Sequence, residues 1–275
     1  MNYKSPFCNM ENNAQIMEYT QEFRDFLAIA KKCEQTYVGY GNPNAGILII
    51  ANEPGVKEDL FVEKDLNRNL DLWNSNLPGK SMDSVEDMLY GDVLHWDEFN
   101  PLWPFKGQHF TIGKEYRHTS RSWLQCQKLV DMIYSERHEC NRQKDDSLDF
   151  FERAFITDFS AVYGKSSKEI DPEKRCESII QRLPLFGSSF ISRFPVIIVA
   201  SGHYIRDIEP LHDLRKVFQG FDKIEFIDDD FGWRNIHYGE DKKRILIHTK
   251  HFASAISDNY LEKIASACAP FLSDN

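Results

Sequence analysis

The chain lacks a long apolar run, any C-x-x-C pair, an excess of positive charge and a phosphate-binding P-loop. Its longest apolar stretch, residues 194–200, falls far short of the roughly 20 residues a membrane-spanning helix needs. The first residues, Met-Asn-Tyr-Lys-Ser-Pro, carry no basic-then-apolar export leader. The six cysteines (Cys8, Cys33, Cys126, Cys140, Cys176, Cys268) are scattered. Together these features predict a reduced, cytoplasmic protein with core thiols and no membrane partner. Lys and Arg number 33 against 43 Asp and Glu, a net charge of −10. That balance argues against strong general affinity for nucleic acid, because neutralising phosphates takes clustered basic residues. A local basic patch stays open. Three short motifs also lead nowhere. Gly39-Tyr40-Gly41 precedes an apolar strand instead of following it, and Ser201-Gly202-His203 lacks the first glycine of a nucleophile elbow. His248 and His251 have no further ligands in sequence, so no metal is predicted.

What is present is an ordinary globular composition over 275 residues, with 41% hydrophobic and 13% aromatic residues, which excludes a disordered chain. The reading is one domain over 1–275, with a helical leader (1–37) and a long insertion (56–117) rich in Trp, Pro, Asn and Asp. Phe23, Phe26, Leu27 and Ala30 recur at i, i+3, i+4 and i+7, which predicts a helix in the leader. Four short apolar segments, 47–51, 154–158, 195–201 and 244–248, predict buried strands. Helical stretches are expected at 121–134, 172–183, 210–218 and 259–271, and a further strand at 223–227. The alternation predicts an α/β fold: a three-layer α/β/α sandwich around a mainly parallel four-stranded sheet. Asp228-Asp229-Asp230 reads as a solvated turn.

Parallel sheets bind ligands at the carboxyl ends of their strands. The polar residues there are Asn52 and Glu53, Asp158, Ser201 and His203, and His248. Helix capping is the alternative reading of Glu53 and Asp158.

Residues 41–55, Gly-Asn-Pro-Asn-Ala-Gly-Ile-Leu-Ile-Ile-Ala-Asn-Glu-Pro-Gly, resemble the first motif of the uracil-DNA glycosylase superfamily. Ile156-Thr157-Asp158 is similar to that family's Ile-Thr-Asn, and Ile247 to His251 stands where the family carries His-Pro-Ser. The resemblance covers 38–55 and 118–265. It implies the fold named above and a hydrolase that cleaves the N-glycosidic bond of a nucleobase in DNA or in a nucleotide-like compound. It further implies that Glu53 positions water, Asn52 contacts the base and His248 stabilises the departing base. Asp158 and Ser201 would line the base pocket, with Phe105 or Phe110 stacking on the base. Lys250, His251 and Arg121 would contact nucleic acid. No cofactor is implied, since the iron–sulfur branch needs placed cysteines. Asp158 replaces the amide that reads uracil, and an ionised carboxylate offers a uracil carbonyl no donor. A base with adjacent N–H donors suits it better. Two classes therefore stay open: a glycosylase-type hydrolase, and a non-catalytic binding module on the same fold. Basic residues beside the pocket (Arg117, His118, Arg121, Lys165, Lys168, Lys250, His251) would favour the first.

Overall fold

The structure, a computed structural model, describes residues 19–34, 36–55, 69–71, 73–74, 120–134, 148–164 and 167–272. Helix α1 (Gln21–Ala30) starts where the Thr20 hydroxyl accepts from the Phe23 amide, and it buries Phe23, Phe26, Leu27 and Ala30, the face read from sequence. Strands β1 (Tyr40–Gly41) and β2 (Ile47–Ala51) follow, then α2 (Arg121–Tyr134) and β3 (Ala154–Asp158). Next come α3 (Pro172–Phe186), the short α4 (Ser189–Ser192) and β4 (Val196–Val199). The chain closes with β5 (Phe221–Asp229), β6 (Gly232–Gly239), β7 (Ile245–His248) and α5 (Asp258–Cys268).

The sheet is α/β but larger and more mixed than the four parallel strands expected. It has seven strands in the order β1-β3-β2-β4-β7-β6-β5. The four expected segments form its parallel centre, β3-β2-β4-β7. Antiparallel β1 extends one side, and the β5–β6 hairpin extends the other beyond β7. Sequence reading left out β6 because its buried and half-buried positions include polar residues, Arg234 and His237 among them, in place of an apolar run. Asp228 and Asp229 lie in β5, and Asp229 accepts from the Phe231 and Gly232 amides and pairs with Arg234 at 3.1 Å. All three aspartates are exposed and Asp230 enters the hairpin turn that Asp229 caps, so the solvated-turn reading holds there, with Asp228 and Asp229 closing the strand.

Side chains alternate across the centre. Leu48, Ile50, Phe155, Ile197, Val199 and Leu246 face α1, α3 and α4. Ile47, Ile49, Ile156, Ile198, Ile245 and Ile247 face α2 and α5. Helices cover both faces, as in a three-layer sandwich. Two helical expectations shift. Helix α3 continues through Pro184 to Phe186, because Leu185 and Phe186 bury fully and outweigh the local penalty of the proline. Residues 210–218 form turns and a single 3₁₀ turn, Leu214–Lys216, in place of an α-helix. Leu211, Leu214, Val217 and Phe218 are still buried there, so the apolar pattern was met by turns instead of a regular helix.

Part of the sequence assigned to the insertion belongs to the core. Residues 69–71 and 73–74 are helical, and Asn69 and Trp73 are fully buried. The Asn69 amide accepts from the Val38 and Gly39 amides and donates to the Gly39 carbonyl. Trp73 donates its indole N–H to the same carbonyl at 3.1 Å and meets Phe23 edge-on at 5.2 Å. Gly39, at φ +130°, crosses so close to β3 that a Cβ would collide with the Ile156 carbonyl. No helix among the described residues is long and apolar enough to cross a membrane.

If Trp73 is a core residue, Trp73→Ala costs about 3–5 kcal/mol of unfolding free energy. Phe226→Ala, at a side chain that is 65% exposed, changes it by under about 0.5 kcal/mol. Urea unfolding of both variants checks this, and equal midpoints would contradict it.

Candidate functional site

In the parallel centre, the connection from β2 leads to one side and the connection from β3 crosses to the other, so the topological switch point lies between β2 and β4. Open α/β sheets place their ligand crevice there. The loops at this point carry Asn52 and Glu53 after β2, and Ser201 to Tyr204 after β4. Backbone bonds extend the sheet to this rim, with Ala200 N–H to Ile50 O at 2.8 Å and Ser160 N–H to Asn52 O at 2.9 Å.

Several buried polar atoms at this rim have no hydrogen-bond partner: Asn52 Oδ1, Ser201 Oγ, Glu53 Oε2, the Tyr204 hydroxyl and Arg175 Nε. Glu53 Oε1 accepts from the Ser167 hydroxyl, and Arg175 Nε stands 3.6 Å from Oε2. The Arg175 guanidinium also lies over the Tyr204 ring at 4.9 Å. Burial and the neighbouring Glu53 carboxylate raise the Tyr204 pKa well above the tyrosine norm. Glu53 is therefore held by a hydroxyl and faced by a cation, which goes beyond the helix-capping alternative.

Asp158 is buried at the end of β3, where its Oδ2 accepts from the Tyr37 hydroxyl at 3.0 Å. Arg182, also buried, donates to the Asp158 carbonyl (3.1 Å), the Thr157 hydroxyl (3.2 Å) and the Tyr37 carbonyl. Burial pushes the Asp158 carboxyl up to about 7, against the opposing effects of Tyr37 and Arg182, and Glu53 adds to the rise. Its protonated form is thus populated well above the usual carboxylate range.

His248 sits apart from Asp158. Strand alternation turns Asp158 toward the α2–α5 side and His248 toward the opposite side, with β2 and β4 between their strands, about 14 Å across. Its Nε2 lies 2.8 Å from the Gly202 carbonyl, and burial depresses its pKa to about 4, so it is neutral with the proton on Nε2. The N–H that a departing base would need is committed to Gly202. His248 instead lines a cavity of about 430 Å³ with His203, Trp233 and Asn235, floored by Ile205 and Leu211. Glu53 and Asp158 are not among its walls. The expected single pocket is two adjoining environments.

Of the expected nucleic-acid contacts, Lys250 points at the Phe231 carbonyl and lies over the Tyr260 ring. His251 accepts from the Ala253 amide, and burial lowers its pKa. Arg121 is exposed at the first turn of α2. Phe105, Phe110, Arg117, His118 and Lys165 lie outside the described residues. Among the described residues no group of three or more His, Cys, Asp or Glu is placed to hold a metal ion. Cys33, Cys126 and Cys268 are buried free thiols, as expected of core residues, and Cys176 is half-buried.

Sequence reasoning missed Tyr37, Arg175, Arg182, Tyr204, Trp233 and Asn235. Only the last two had a signal, the alternation Trp233-Arg234-Asn235 between Gly232 and Gly239.

The raised Asp158 pKa fixes a pH dependence. An aspartate ordinarily near 3.8 and held near 7 in the fold contributes most stability below pH 3.8, and this is lost as pH rises toward 7. Asp158→Asn cannot ionise and still accepts from Tyr37. Its stability relative to wild type should therefore rise from pH 4 to about pH 7 and level off above it. Denaturant unfolding at intervals across that range checks it, and a constant difference would contradict it.

No protein-family model matches the chain, and comparison with curated proteins finds no match.

Proposed function

We propose that the chain binds a nucleobase-bearing compound in the crevice between β2 and β4 and hydrolyses its N-glycosidic bond, on a fold of the uracil-DNA glycosylase type. One observation carries the reading: Asn52 Oδ1 and Ser201 Oγ are buried at the switch point without hydrogen-bond partners, beside the Glu53 carboxylate. Each such group costs about 1–3 kcal/mol when left unpaired, and a ligand rich in N–H and O–H donors would relieve that cost. The parallel order β3-β2-β4-β7, with helices on both faces, supports the family resemblance.

Breaking an N-glycosidic bond builds positive charge on the sugar and negative charge on the base. In this reading Glu53 stabilises the sugar cation and orients water. The departing base takes its hydrogen bond from Asp158 in its protonated form, since the His248 donor is occupied. Recognition of a base carbonyl would then weaken as pH rises through about 7. The net charge of −10 and the engagement of Lys250 and His251 favour a nucleoside-like or short single-stranded substrate over duplex DNA.

A second reading, a binding module without turnover, is favoured by the grip of Ser167 and Arg175 on Glu53. The two separate in one experiment. Release of free base is followed for nucleosides and for uracil-containing single-stranded and duplex DNA, with wild type and Glu53→Gln. Hydrolysis predicts release by wild type and none by the variant, with binding retained. Binding without release in both proteins would establish the second reading. On uracil substrates at pH 8, Asp158→Asn should improve recognition about ten- to hundredfold, the worth of one restored buried hydrogen bond. Efficient uracil release by wild type at that pH, with no gain in the variant, would remove Asp158 from base reading.

A further inference from the structure

Beyond the crevice, the β6–β7 side of the sheet carries a second set of groups with no protein partner. Trp233 and Asn235 lie two residues apart in β6, so they share a face, and Asn235 pairs across the ladder with His248 of β7. Together they wall the cavity of about 430 Å³, within the size range of small-molecule pockets. His203 stacks on Trp233 with ring centroids 4.8 Å apart and planes at 24°, and His248 meets the indole edge-on at 5.1 Å. His248 donates through Nε2 to Gly202, which leaves Nδ1 as an acceptor. Among the described residues, neither the indole N–H of Trp233 nor the amide of Asn235 has a hydrogen-bond partner. The cavity thus offers a flat aromatic wall, an imidazole acceptor and an amide that both donates and accepts, with the Asp228 carboxylate also on its lining. Two further lining residues already have carboxylate partners, Arg206 in Asp207 at 3.3 Å and His212 in Glu209 at 2.9 Å.

We propose that this cavity is a binding site for an uncharged, flat heteroaromatic ring of nucleobase size, stacked on the His203–Trp233 pair and read by Asn235 and His248. The ring adds a layer to an existing stack, and its edge supplies an N–H to His248 Nδ1. Asn235 takes a complementary donor–acceptor pair, as amides do on base edges. Because Arg206 is paired with Asp207 and the Asp228 carboxylate also lines the cavity, a phosphate adds nothing. The site is separate from the crevice and stands whether or not the crevice hydrolyses anything.

The test is calorimetric titration of the full chain with adenosine, guanosine, cytidine and uridine, with ribose as the ringless control. At least one nucleoside should bind where ribose does not, and its 5′-monophosphate should bind no more tightly. Trp233→Leu, which removes the aromatic wall, and Asn235→Ala, which removes the amide, should each weaken binding about tenfold, the worth of one lost ring stack or hydrogen bond. Thermal unfolding of both variants within a few degrees of wild type ensures that the loss is local. Three results would overturn the proposal: no binding of any nucleoside, unchanged affinity in both variants, or a monophosphate bound more than about tenfold more tightly. Loss of binding confined to Glu53→Gln or Asn52→Ala would place the ring in the crevice and overturn it as well.

Discussion

The two-residue alternation of side chains across the parallel centre is the constraint on which the site depends. Register places Ala51 beside Asp158, Ile50 beside Val199 and Val199 beside His248. From that, Asn52, Ser201 and His248 follow the side of the sheet covered by α1, α3 and α4, while Asp158 turns toward α2 and α5. Slipping any strand by one residue would exchange these sides and bury every core residue wrongly. The rim is one line of residues along the chain ends, but it presents two chemical environments. Carboxylates gather where Glu53 and Asp158 sense each other, and aromatic rings gather around His248.

Buried charge near this rim is held by hydrogen bonds to backbone. Arg182, 1% exposed, donates to two backbone carbonyls and one hydroxyl and lies against the Tyr37 ring. It joins the segment before β1 to the end of β3, and Asn69 and Trp73 grip the next two residues of that segment. Tyr37 can hold Asp158 only because this segment is fixed. A partner-free guanidinium at that depth would cost several kcal/mol, so these contacts stand or fall together.

The parts legible in sequence were those with strong local patterns. The apolar runs at 47–51 and 154–158 and the helical face of Phe23, Phe26, Leu27 and Ala30 appear where periodicity put them. Asn52, Glu53, Asp158 and Ser201 were reachable because a parallel sheet sends strand ends to one rim. Which of them share a pocket was not, since that depends on strand order and face. His248 illustrates this: its position at a strand end was read, but its hydrogen bond to Gly202 comes from a left-handed turn with φ of +59°. Arg182 and Tyr37, 145 residues apart, meet only in the fold. Strand β5 was expected at 223–227, but its partner β6 escaped because polar residues such as Arg234 and His237 hide its period.

The central claim is that the polar groups orphaned at the β2–β4 crevice receive a ligand's donors. The most direct measurement is a crystal structure of the Glu53→Gln protein soaked with the nucleoside that it binds. The account predicts ligand nitrogen or oxygen atoms within hydrogen-bond distance of Asn52 Oδ1 and Ser201 Oγ, with the sugar against residue 53. A nucleoside seated elsewhere while Asn52 and Ser201 keep only protein or solvent neighbours would contradict it.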